Sequence, residues 1–317
     1  MPDDGRVSSS IAEGDPEISV VVTVVEGPHA LRECLTALGA QSAGPRTEVL
    51  VPYDDSIAWV DELVSEFPWA RSIAMGQVET ERPKSSPSGQ HELFDRRRAK
   101  GLARARGRII CILEDRGVPE QGWCAAVAKA HRELPHAAIG GAVECGMDHP
   151  IAWAVYFCDF SRYQLPFPAG PREYVTDVNI SYKRDPLFRV HDVWKHRYHE
   201  TTVHWRLVRD GETLYLTPDL VVRQRRHSVS LKSILRERVE WGRLFAYTRA
   251  MEIGRAMCLA YAVTVPLLPP LLFVRHARTQ ISKRVRLWRF VSVSPLVALL
   301  LVSWSAGELV GYLTRRP

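Results

Sequence analysis

Two adjacent carboxylates, Glu114 and Asp115, stand where this 317-residue sequence most clearly predicts chemistry. They follow five consecutive apolar residues at positions 109–113, a pattern typical of a strand buried on both faces. In open α/β sheets, ligands bind at the carboxyl ends of the strands, and carboxylates together with substrate phosphates hold hard divalent cations. The pair therefore predicts a cation site that faces a diphosphate. An acidic turn that caps the next helix is the alternative.

Three further acids follow predicted strands in the same way, and a fourth lies beyond the sheet. Glu26 comes after the first predicted strand, and Asp54 and Asp55 come after the second. Glu200 lies much later, in the segment 194–201 (WKHRYHET). An Asx turn is the alternative for the two aspartates, and an acidic helix start is the alternative for Glu200.

Strands alternate with helices over the first half of the chain, and these elements must position the acids. Apolar and β-branched runs predict strands, whereas apolar residues spaced three or four apart predict helices. The predicted strands are 18–25, 48–52, 71–75, 109–113 and 137–143, and the predicted helices are 30–40, 57–67, 95–106 and 119–134. This alternation predicts an α/β fold with a mostly parallel sheet and helices on both faces.

Six segments of the chain, in this order, resemble motifs of the family 2 glycosyltransferases, which have the GT-A fold. The segments are 18–26 (ISVVVTVVE), 53–56 (YDDS), 97–102 (RRAKGL), Glu114-Asp115, 177–184 (DVNISYKR) and 199–201 (HET). The chain is most similar to bacterial-type members with a membrane-anchored C-terminus and a Glu-Asp-x motif followed by Pro and Gly-Trp. The resemblance, which extends from about residue 18 to residue 249, implies a GT-A-type, Rossmann-like catalytic domain. It also implies transfer of a sugar from a nucleotide-diphospho-sugar donor to an acceptor hydroxyl.

The resemblance further implies roles for individual side chains. The nucleoside would be bound by Thr23, Glu26 and Asp54 or Asp55, and the diphosphate by Arg97 or Arg98. Asp115 and Glu114 would bind Mg²⁺ or Mn²⁺, with His227 as a further ligand. The sugars would be bound by Asn179, Trp123 and His199. Glu200 would be the general base that removes the proton of the acceptor hydroxyl, in a single displacement that inverts the anomeric configuration. A solvated helix face is the alternative for both arginines, a turn asparagine for Asn179, and a structural histidine for His227.

One residue departs from the family pattern. Arg116 occupies the position where the family commonly has a second aspartate. Because a guanidinium is no metal ligand, either Asp115 binds the cation with help from Glu114, or Arg116 takes over part of the phosphate neutralisation.

The C-terminal third combines positive charge with apolar segments. The chain is 46% hydrophobic and 25% charged and has a net charge of +6, with nine basic residues between positions 223 and 255. The segments 256–274 and 290–307 directly downstream contain no charged residue, and each is close to the length needed to cross a bilayer. Anionic lipid headgroups are therefore a better partner for the basic stretch than nucleic acid, which is not expected. We expect a cell-membrane protein with its catalytic domain on the cytoplasmic side.

The first apolar segment is not expected to cross the membrane. Prolines at positions 266, 269 and 270 would kink or break a helix there. The linker 275–289 carries six basic residues, which the positive-inside tendency favours in the cytoplasm. A single crossing at 256–274 would place that linker outside, so a re-entrant or non-spanning segment is expected. Two buried core helices of a soluble protein are the alternative.

Four regions follow from these patterns. They are a disordered tail (1–15), a catalytic domain (16–227), a basic amphipathic interfacial helix (228–255) and a hydrophobic membrane-associated or transmembrane region (256–317). The six cysteines are scattered without metal-ligand spacing, which predicts reduced core residues of a cytoplasmic domain.

Three functions are compatible with this organisation. The first is an inverting glycosyltransferase whose acceptor is a membrane-linked glycan or lipid. The second is a non-catalytic nucleotide-sugar-binding membrane protein with a degenerate metal motif, which Arg116 favours. The third, a sugar-nucleotide nucleotidyltransferase, is disfavoured because it needs a glycine-rich triphosphate loop, and the segment 26–28 (EGP) offers one glycine.

Overall fold

The computed structural model describes residues 14–41, 44–227 and 230–316, which form two compact units. The first unit lies within Met1–Glu79, Glu92–Val143 and Pro168–Arg225, and the second within Thr80–His91, Glu144–Phe167 and Arg226–Pro317. The catalytic domain predicted from the sequence ends at residue 227, close to Arg225, where the first unit ends. Two segments within the predicted domain, Thr80–His91 and Glu144–Phe167, belong to the second unit instead. Of the predicted disordered tail only residues 14 and 15 are described, so that prediction lies outside the described residues.

The described chain forms nine strands and twelve helices. The strands are β1 (Ile18–Thr23), β2 (Thr47–Tyr53), β3 (Ala70–Ala74), β4 (Ile109–Glu114), β5 (Gly117–Pro119), β6 (Ala138–Cys145), β7 (Gly170–Arg172), β8 (Asn179–Lys183) and β9 (Leu214–Gln224). The helices are α1 (Pro28–Gly39), α2 (Trp59–Ser65), α3 (Pro87–Arg104), α4 (Trp123–Glu133), α5 (Pro150–Phe160), α6 (Arg184–Arg189), α7 (His191–Trp194), α8 (Glu200–Arg209), α9 (Leu231–Glu252), α10 (Arg255–Thr264), α11 (Leu268–Lys283) and α12 (Leu287–Thr314). Each predicted strand and helix of the first half is present, although α3 begins at Pro87 rather than at residue 95.

All nine strands belong to one sheet with the order β3-β2-β1-β4-β8-β6-β9-β5, and β7 pairs with β9. The first four strands of this order are parallel. The sheet turns mixed at β8, which pairs antiparallel with both β4 and β6. The predicted α/β class is therefore confirmed, with parallel pairing limited to the first four strands, and the topology is consistent with a GT-A-like fold.

Helices cover both faces of the parallel half. Val20 and Val22 of β1 pack in a buried cluster with residues of α1, α2 and α4, among them Leu31. Val21 points to the other face, because side chains alternate along a strand. There α3 approaches so closely that a Cβ at Gly101 would collide with the Val21 side chain. This two-sided burial explains why β1 is apolar at successive positions.

All six cysteines are free thiols, and four of them are buried: Cys34, Cys111, Cys124 and Cys258. Burial raises the pKa of Cys34, Cys111 and Cys124. These residues are therefore neutral core side chains, as predicted.

In the second unit, α12 is the central helix. Its Phe290 packs edge-on against Phe157 of α5, with 5.3 Å between ring centroids, and also contacts Phe273 of α11. Near its other end, Tyr312 stacks on Tyr261 of α10 at 5.5 Å. The α10–α11 segment is therefore antiparallel to α12, and the segment and α12 together form a helical hairpin.

Glycines bring α9 and α12 into close contact. A Cβ at Gly242 of α9 would overlap the Trp304 carbonyl oxygen, and a Cβ at Gly307 of α12 would overlap the Val239 carbonyl oxygen. A Cβ at Gly311 would lie 2.5 Å from the Arg243 carbonyl oxygen. The basic amphipathic helix of the sequence prediction thus uses its small residues to pack on α12.

The substitution Gly307→Leu should lower the free energy of unfolding by about 1–3 kcal/mol or more, because overpacking forces the two backbones apart. Urea unfolding followed by tryptophan fluorescence measures the change. Gly254→Ala is the matched control, since a Cβ there meets no atom of the described residues within 4 Å and its φ of −70° suits alanine. Equal stability of the two variants would contradict the close helix contact.

Both predicted apolar segments are helical. The first is divided into α10, a 3-10 turn at Val265–Leu267 that contains Pro266, and α11, as the prolines predict. Arg255–Lys283 and Leu287–Thr314 are long and apolar enough to cross a membrane by length and composition. The first segment is mostly exposed, with Val263 at 79%, whereas the second is partly buried, with Val293 and Val297 among its buried residues.

Candidate functional site

The guanidinium of Arg98 holds together the acidic residues at the carboxyl edge of the sheet. Arg98 is only 3% exposed and lies 3.3 Å from Asp95, 3.1 Å from Glu114 and 2.9 Å from Asp177. Burial raises the pKa of Asp95 to about 7, although Arg98 opposes this shift. Three carboxylates therefore contact one permanent cation, and two further arginines act on them more weakly: Arg197 on Asp95 and Arg116 on Glu114.

The strand order explains why residues distant in sequence meet here. Glu114 ends β4, and β8 lies antiparallel beside it with Asn179 opposite Leu113. Asp177, two residues before the start of β8, is therefore brought to the carboxyl end of β4. Arg98 reaches the same edge from α3 on the sheet face that Gly101 adjoins.

Glu200 belongs to the same cluster. Its Oε2 accepts a hydrogen bond from the backbone N–H of Asp177 at 2.7 Å, and its side chain is half-buried. Burial raises the pKa of Glu200 to about 7, the Asp177 N–H and Arg98 lower it, and Glu114 and Asp95 raise it further. A carboxyl group with such a pKa accepts protons efficiently near neutral pH, which suits a general base.

A buried network anchors α8, the helix that Glu200 begins. The Tyr182 hydroxyl lies 2.5 Å from the Tyr198 hydroxyl and 2.8 Å from Nε2 of His204, one turn along α8. Burial lowers the pKa of His204 to about 4, so the imidazole is neutral at physiological pH. The backbone of Tyr198 also donates to the Asp95 carbonyl at 3.0 Å. This network fixes the position of Glu200 at the start of α8.

Asp115 has a different environment from the predicted one. Its fully buried carboxylate accepts hydrogen bonds from the backbone N–H groups of Val25 at 3.1 Å, Glu26 at 3.0 Å and Gly27 at 3.1 Å. Burial raises the pKa of Asp115 to about 6, and Arg116 and the backbone donors oppose that shift. The side chain therefore fixes the loop between β1 and α1 instead of facing a ligand.

The oxygen atoms that could ligate a metal here fit a cation held by one carboxylate of the protein. The Glu114 side chain keeps 15% exposure, with one oxygen near Arg98 and the other 3.4 Å from Nε2 of Gln224. Mg²⁺ at nucleotide sites is commonly held by one or two carboxylates together with substrate phosphates. Glu114 keeps the exposure that this role needs, whereas the Asp115 oxygens are buried and accept three backbone hydrogen bonds.

Asp54 and Arg97 form a buried ion pair. The Arg97 Nε lies 2.8 Å and its Nη2 2.6 Å from Asp54 Oδ2, and its Nη1 donates to the Val24 carbonyl at 2.8 Å. Asp54 Oδ1 accepts from the Ser56 backbone at 2.9 Å, which is the Asx turn considered as the alternative. Burial would raise the pKa of Asp54, but Ser56 and Arg97 outweigh it and lower the pKa. Both side chains therefore have partners within the protein, and their roles toward the nucleoside and the diphosphate stay predictions.

Of two other predicted nucleoside ligands, Glu26 has a partner within the protein, whereas the buried Thr23 hydroxyl has none among the described residues. Glu26 pairs with Arg116, with 2.7 Å between Glu26 Oε2 and Arg116 Nε. Thr23 is fully buried at the end of β1, opposite Glu114, and its carbonyl accepts from the Asp115 backbone at 2.9 Å. Arg116, the departure from the family pattern, thus neutralises an acid of the protein itself.

Asn179 and Trp123 hydrogen-bond to each other inside the protein, and their substrate role stays a prediction. The Asn179 side chain donates to the carbonyls of Ala142 at 2.8 Å and Leu220 at 2.9 Å, and accepts from the Trp123 indole N–H at 3.1 Å. Both side chains are almost fully buried. Asn179 thereby ties β8 to β6, β9 and α4, and Gly141 is required beside it because a Cβ there would overlap the Leu220 carbonyl oxygen.

We expect Asn179→Ala to lower the free energy of unfolding by about 3 kcal/mol, because each buried polar group left without a partner costs about 1–3 kcal/mol. Urea unfolding measures the loss, and Thr36→Ala, which removes an exposed hydrogen bond on α1, should stay within about 0.5 kcal/mol. Unchanged stability together with weaker donor binding would return Asn179 to the predicted substrate role.

Three predicted site residues remain: Asp55, His199 and His227. Asp55 and His199 are exposed in the first unit, where they are accessible to ligands. His227 belongs to the second unit, and its metal role stays a prediction. The sequence reasoning missed Asp95 and Asp177 as members of the cluster, although Asp177 directly precedes a strand within a segment that resembles a family motif.

No family model and no curated protein sequence matches this chain. The mannosyltransferase PcManGT from Pyrobaculum calidifontis, solved with GDP-Man and Mn²⁺, is 14% identical, with a TM-score of 0.47 over 95% of this chain and 86% of that chain. S. aureus TarS 1–349 is 12% identical, with a TM-score of 0.47 over 94% of this chain and 90% of that chain. Its complex with UDP-GlcNAc gives a TM-score of 0.45 at 12% identity, over 93% and 91% of the two chains. At these identities the likeness concerns the fold alone.

Proposed function

We propose that this chain is an inverting glycosyltransferase that moves a sugar from a nucleotide-diphospho-sugar to an acceptor hydroxyl. The observation that carries the proposal is Glu200, a half-buried carboxyl group with a pKa of about 7. It is held by the Asp177 N–H beside Arg98 and Glu114 at the carboxyl edge of the sheet. Such an edge is the usual ligand site of an open α/β sheet.

The chemistry is a single displacement. The acceptor oxygen attacks the anomeric carbon from the side opposite the diphosphate, and Glu200 takes the hydroxyl proton. The bond between the anomeric carbon and the diphosphate oxygen breaks, and the nucleoside diphosphate leaves with the bonding electrons. Attack from the opposite side inverts the anomeric configuration. The negative excess around Arg98 also favours the positive charge that develops on the sugar ring.

Two acids of the first unit are assigned to the donor: the exposed Asp55 and the partly buried Glu114. Asp55 follows β2 and would accept hydrogen bonds from the nucleoside. Glu114 would hold a divalent cation, Mg²⁺ or Mn²⁺, together with the donor's phosphate oxygens, and the bound cation would neutralise the diphosphate.

The acceptor and the location follow from the second unit. Its exposed apolar helices and the basic residues around them favour a membrane-linked glycan or lipid as the acceptor. We place the catalytic side in the cytoplasm, where nucleotide-sugars are made. The motif order further favours the membrane-anchored subgroup of family 2.

Release of nucleoside diphosphate tests the proposal. Purified protein is incubated with UDP-, GDP- and dTDP-sugars, with and without Mn²⁺, and with membrane lipid extract as the source of acceptor. We expect release from one class of donor that increases when the extract is added. The absence of release across the whole panel, from protein that is shown to be folded, would contradict the proposal.

A non-catalytic nucleotide-sugar-binding protein is the second candidate, and two ion pairs favour it. The contacts Arg116–Glu26 and Arg97–Asp54 occupy side chains that the family resemblance assigns to the donor. Calorimetric binding of a nucleoside diphosphate without turnover of any donor would support this function over transfer.

A further inference from the structure

Three faces of α12 are covered by protein. The helix α5 contacts its first half through Phe157, and α9 contacts its second half through Gly242. The α10–α11 segment lies along α12 from Tyr261 to Phe273. A helix that spans a bilayer as a separate anchor would instead be surrounded by lipid for most of its length.

The fourth face of α12 is a narrow exposed stripe of apolar residues. Its members recur every three or four positions: Val291, Pro295, Leu299, Val302, Ala306, Val310 and Leu313. This spacing follows one side of a helix. The apolar stripe therefore continues the exposed apolar surface of α10 and α11, which includes Leu259, Val263, Leu267 and Leu271.

The basic turn between α11 and α12 is bound to the segment Glu144–Phe167. Arg289 pairs with Asp148 at 2.7 Å, and Arg286 lies 3.9 Å from Glu144. In α11, Gln280 donates to the Gln164 side chain at 2.9 Å. This end of the hairpin is thus held by charged and polar groups of the second unit.

The other end of α12 is bound to a second polar element, α9. Tyr312 accepts from Arg249 at 3.3 Å, and Arg315 donates to the Ala250 carbonyl at 2.6 Å. The beginning of α9 is joined to α5 by Arg238 and Asp159, with contacts of 2.6 and 2.7 Å. Polar contacts therefore hold α12 at both of its ends.

The composition of α9 prevents it from crossing a bilayer beside α12. Eight of its 22 residues are charged: Lys232, Arg236, Glu237, Arg238, Glu240, Arg243, Arg249 and Glu252. Each charge at the bilayer centre is expensive, so a crossing by α12 would bring this charged helix into the hydrocarbon.

We propose that this protein is monotopic: α10, α11 and α12 enter a single leaflet of an anionic bilayer through the apolar stripe and its continuation, and neither apolar segment crosses. The partner is anionic lipid, because exposed Trp288 and a turn with three arginines (Arg284, Arg286 and Arg289) stand at one margin of the apolar surface. Tryptophan and basic side chains are typical of the headgroup layer. This inference is independent of the proposed function.

Cysteine labelling tests the topology. Val285→Cys in the basic turn and Thr314→Cys at the far end of α12 are placed at exposed positions, and the wild type gives the background of the native thiols. A membrane-impermeant maleimide is added to sealed membrane vesicles prepared in both orientations. We expect both variants to react in the same orientation only. Reaction of the two in opposite orientations, or recovery of the protein as a soluble dimer without membranes, would overturn the proposal.

Liposome flotation tests the lipid contact. With Val302→Glu in the apolar stripe, the fraction bound to phosphatidylglycerol liposomes should fall about tenfold or more, since a carboxylate enters hydrocarbon poorly. Thr248→Glu, at an exposed position of α9 outside the stripe, is the matched control and should bind as the wild type does. Equal binding of both variants would overturn the assignment of the stripe. Neither assay measures sugar transfer. A negative result in either one therefore leaves the proposed function standing.

Discussion

Glu200→Gln is expected to lower the rate of sugar transfer by about 10²–10⁴-fold, the usual contribution of a positioned general base. Glutamine has the same shape, and its amide oxygen can still accept the Asp177 N–H that holds Glu200 at 2.7 Å. It cannot take a proton. The rate of nucleoside diphosphate release in the presence of acceptor, measured at saturating donor, reports the loss.

The pH dependence distinguishes a base from a positioning group. Burial raises the pKa of Glu200 to about 7, and a base acts only when it is deprotonated. The wild-type rate should therefore rise with pH up to about 7 and then level off. In Glu200→Gln the residual rate should lose this rise, because no proton acceptor remains to titrate.

The control variant is Glu133→Gln, which makes the same change at an exposed position at the end of α4. It should transfer sugar at the wild-type rate. Full activity in Glu200→Gln would remove Glu200 from the mechanism. A loss of activity with an unchanged pH profile would assign Glu200 to positioning of the acceptor instead.

The sequence predicts the parallel half of the fold well because its signals are local. Apolar runs and helical spacings identify β1 to β4 and the helices between them, and the order of elements predicts an α/β sheet. The antiparallel half is less predictable. The pairing of β8 with β4 depends on contacts between residues about 70 positions apart, which no local pattern records.

Adjacent residues show where the prediction of the site fails. Arg97 and Arg98 are neighbours on α3, about 100° apart around the helix axis. Arg97 consequently faces the interior and pairs with Asp54, whereas Arg98 faces the acidic cluster. Glu114 and Asp115 differ in the same way. Glu114 stays accessible, whereas Asp115 accepts hydrogen bonds from backbone N–H groups. A sequence places such pairs at the site without indicating which member faces it.

Arg98→Gln is expected to be the most destabilising single change in the first unit, at about 3–5 kcal/mol in the free energy of unfolding. The substitution removes the cation that contacts Asp95, Glu114 and Asp177 and leaves these three carboxylates without their shared partner. Sugar transfer should be lost as well. Arg104→Gln on the same helix is the matched control, because Arg104 is exposed and a surface substitution should change the free energy of unfolding by no more than about 0.5 kcal/mol.

The destabilisation by Arg98→Gln should depend on pH in a direction that can be worked out. Burial already raises the pKa of Asp95 to about 7 and raises that of Glu114, and Arg98 opposes both shifts. Without Arg98 these folded-state pKa values rise further above those of the unfolded chain. A group whose pKa is raised by folding stabilises the protein at low pH, and that stability is lost as the pH rises through the folded-state pKa. The difference from wild type in urea unfolding should therefore be larger at pH 8 than at pH 5.5. An equal difference at both values would mean that lost packing, and not uncompensated charge, is the cause.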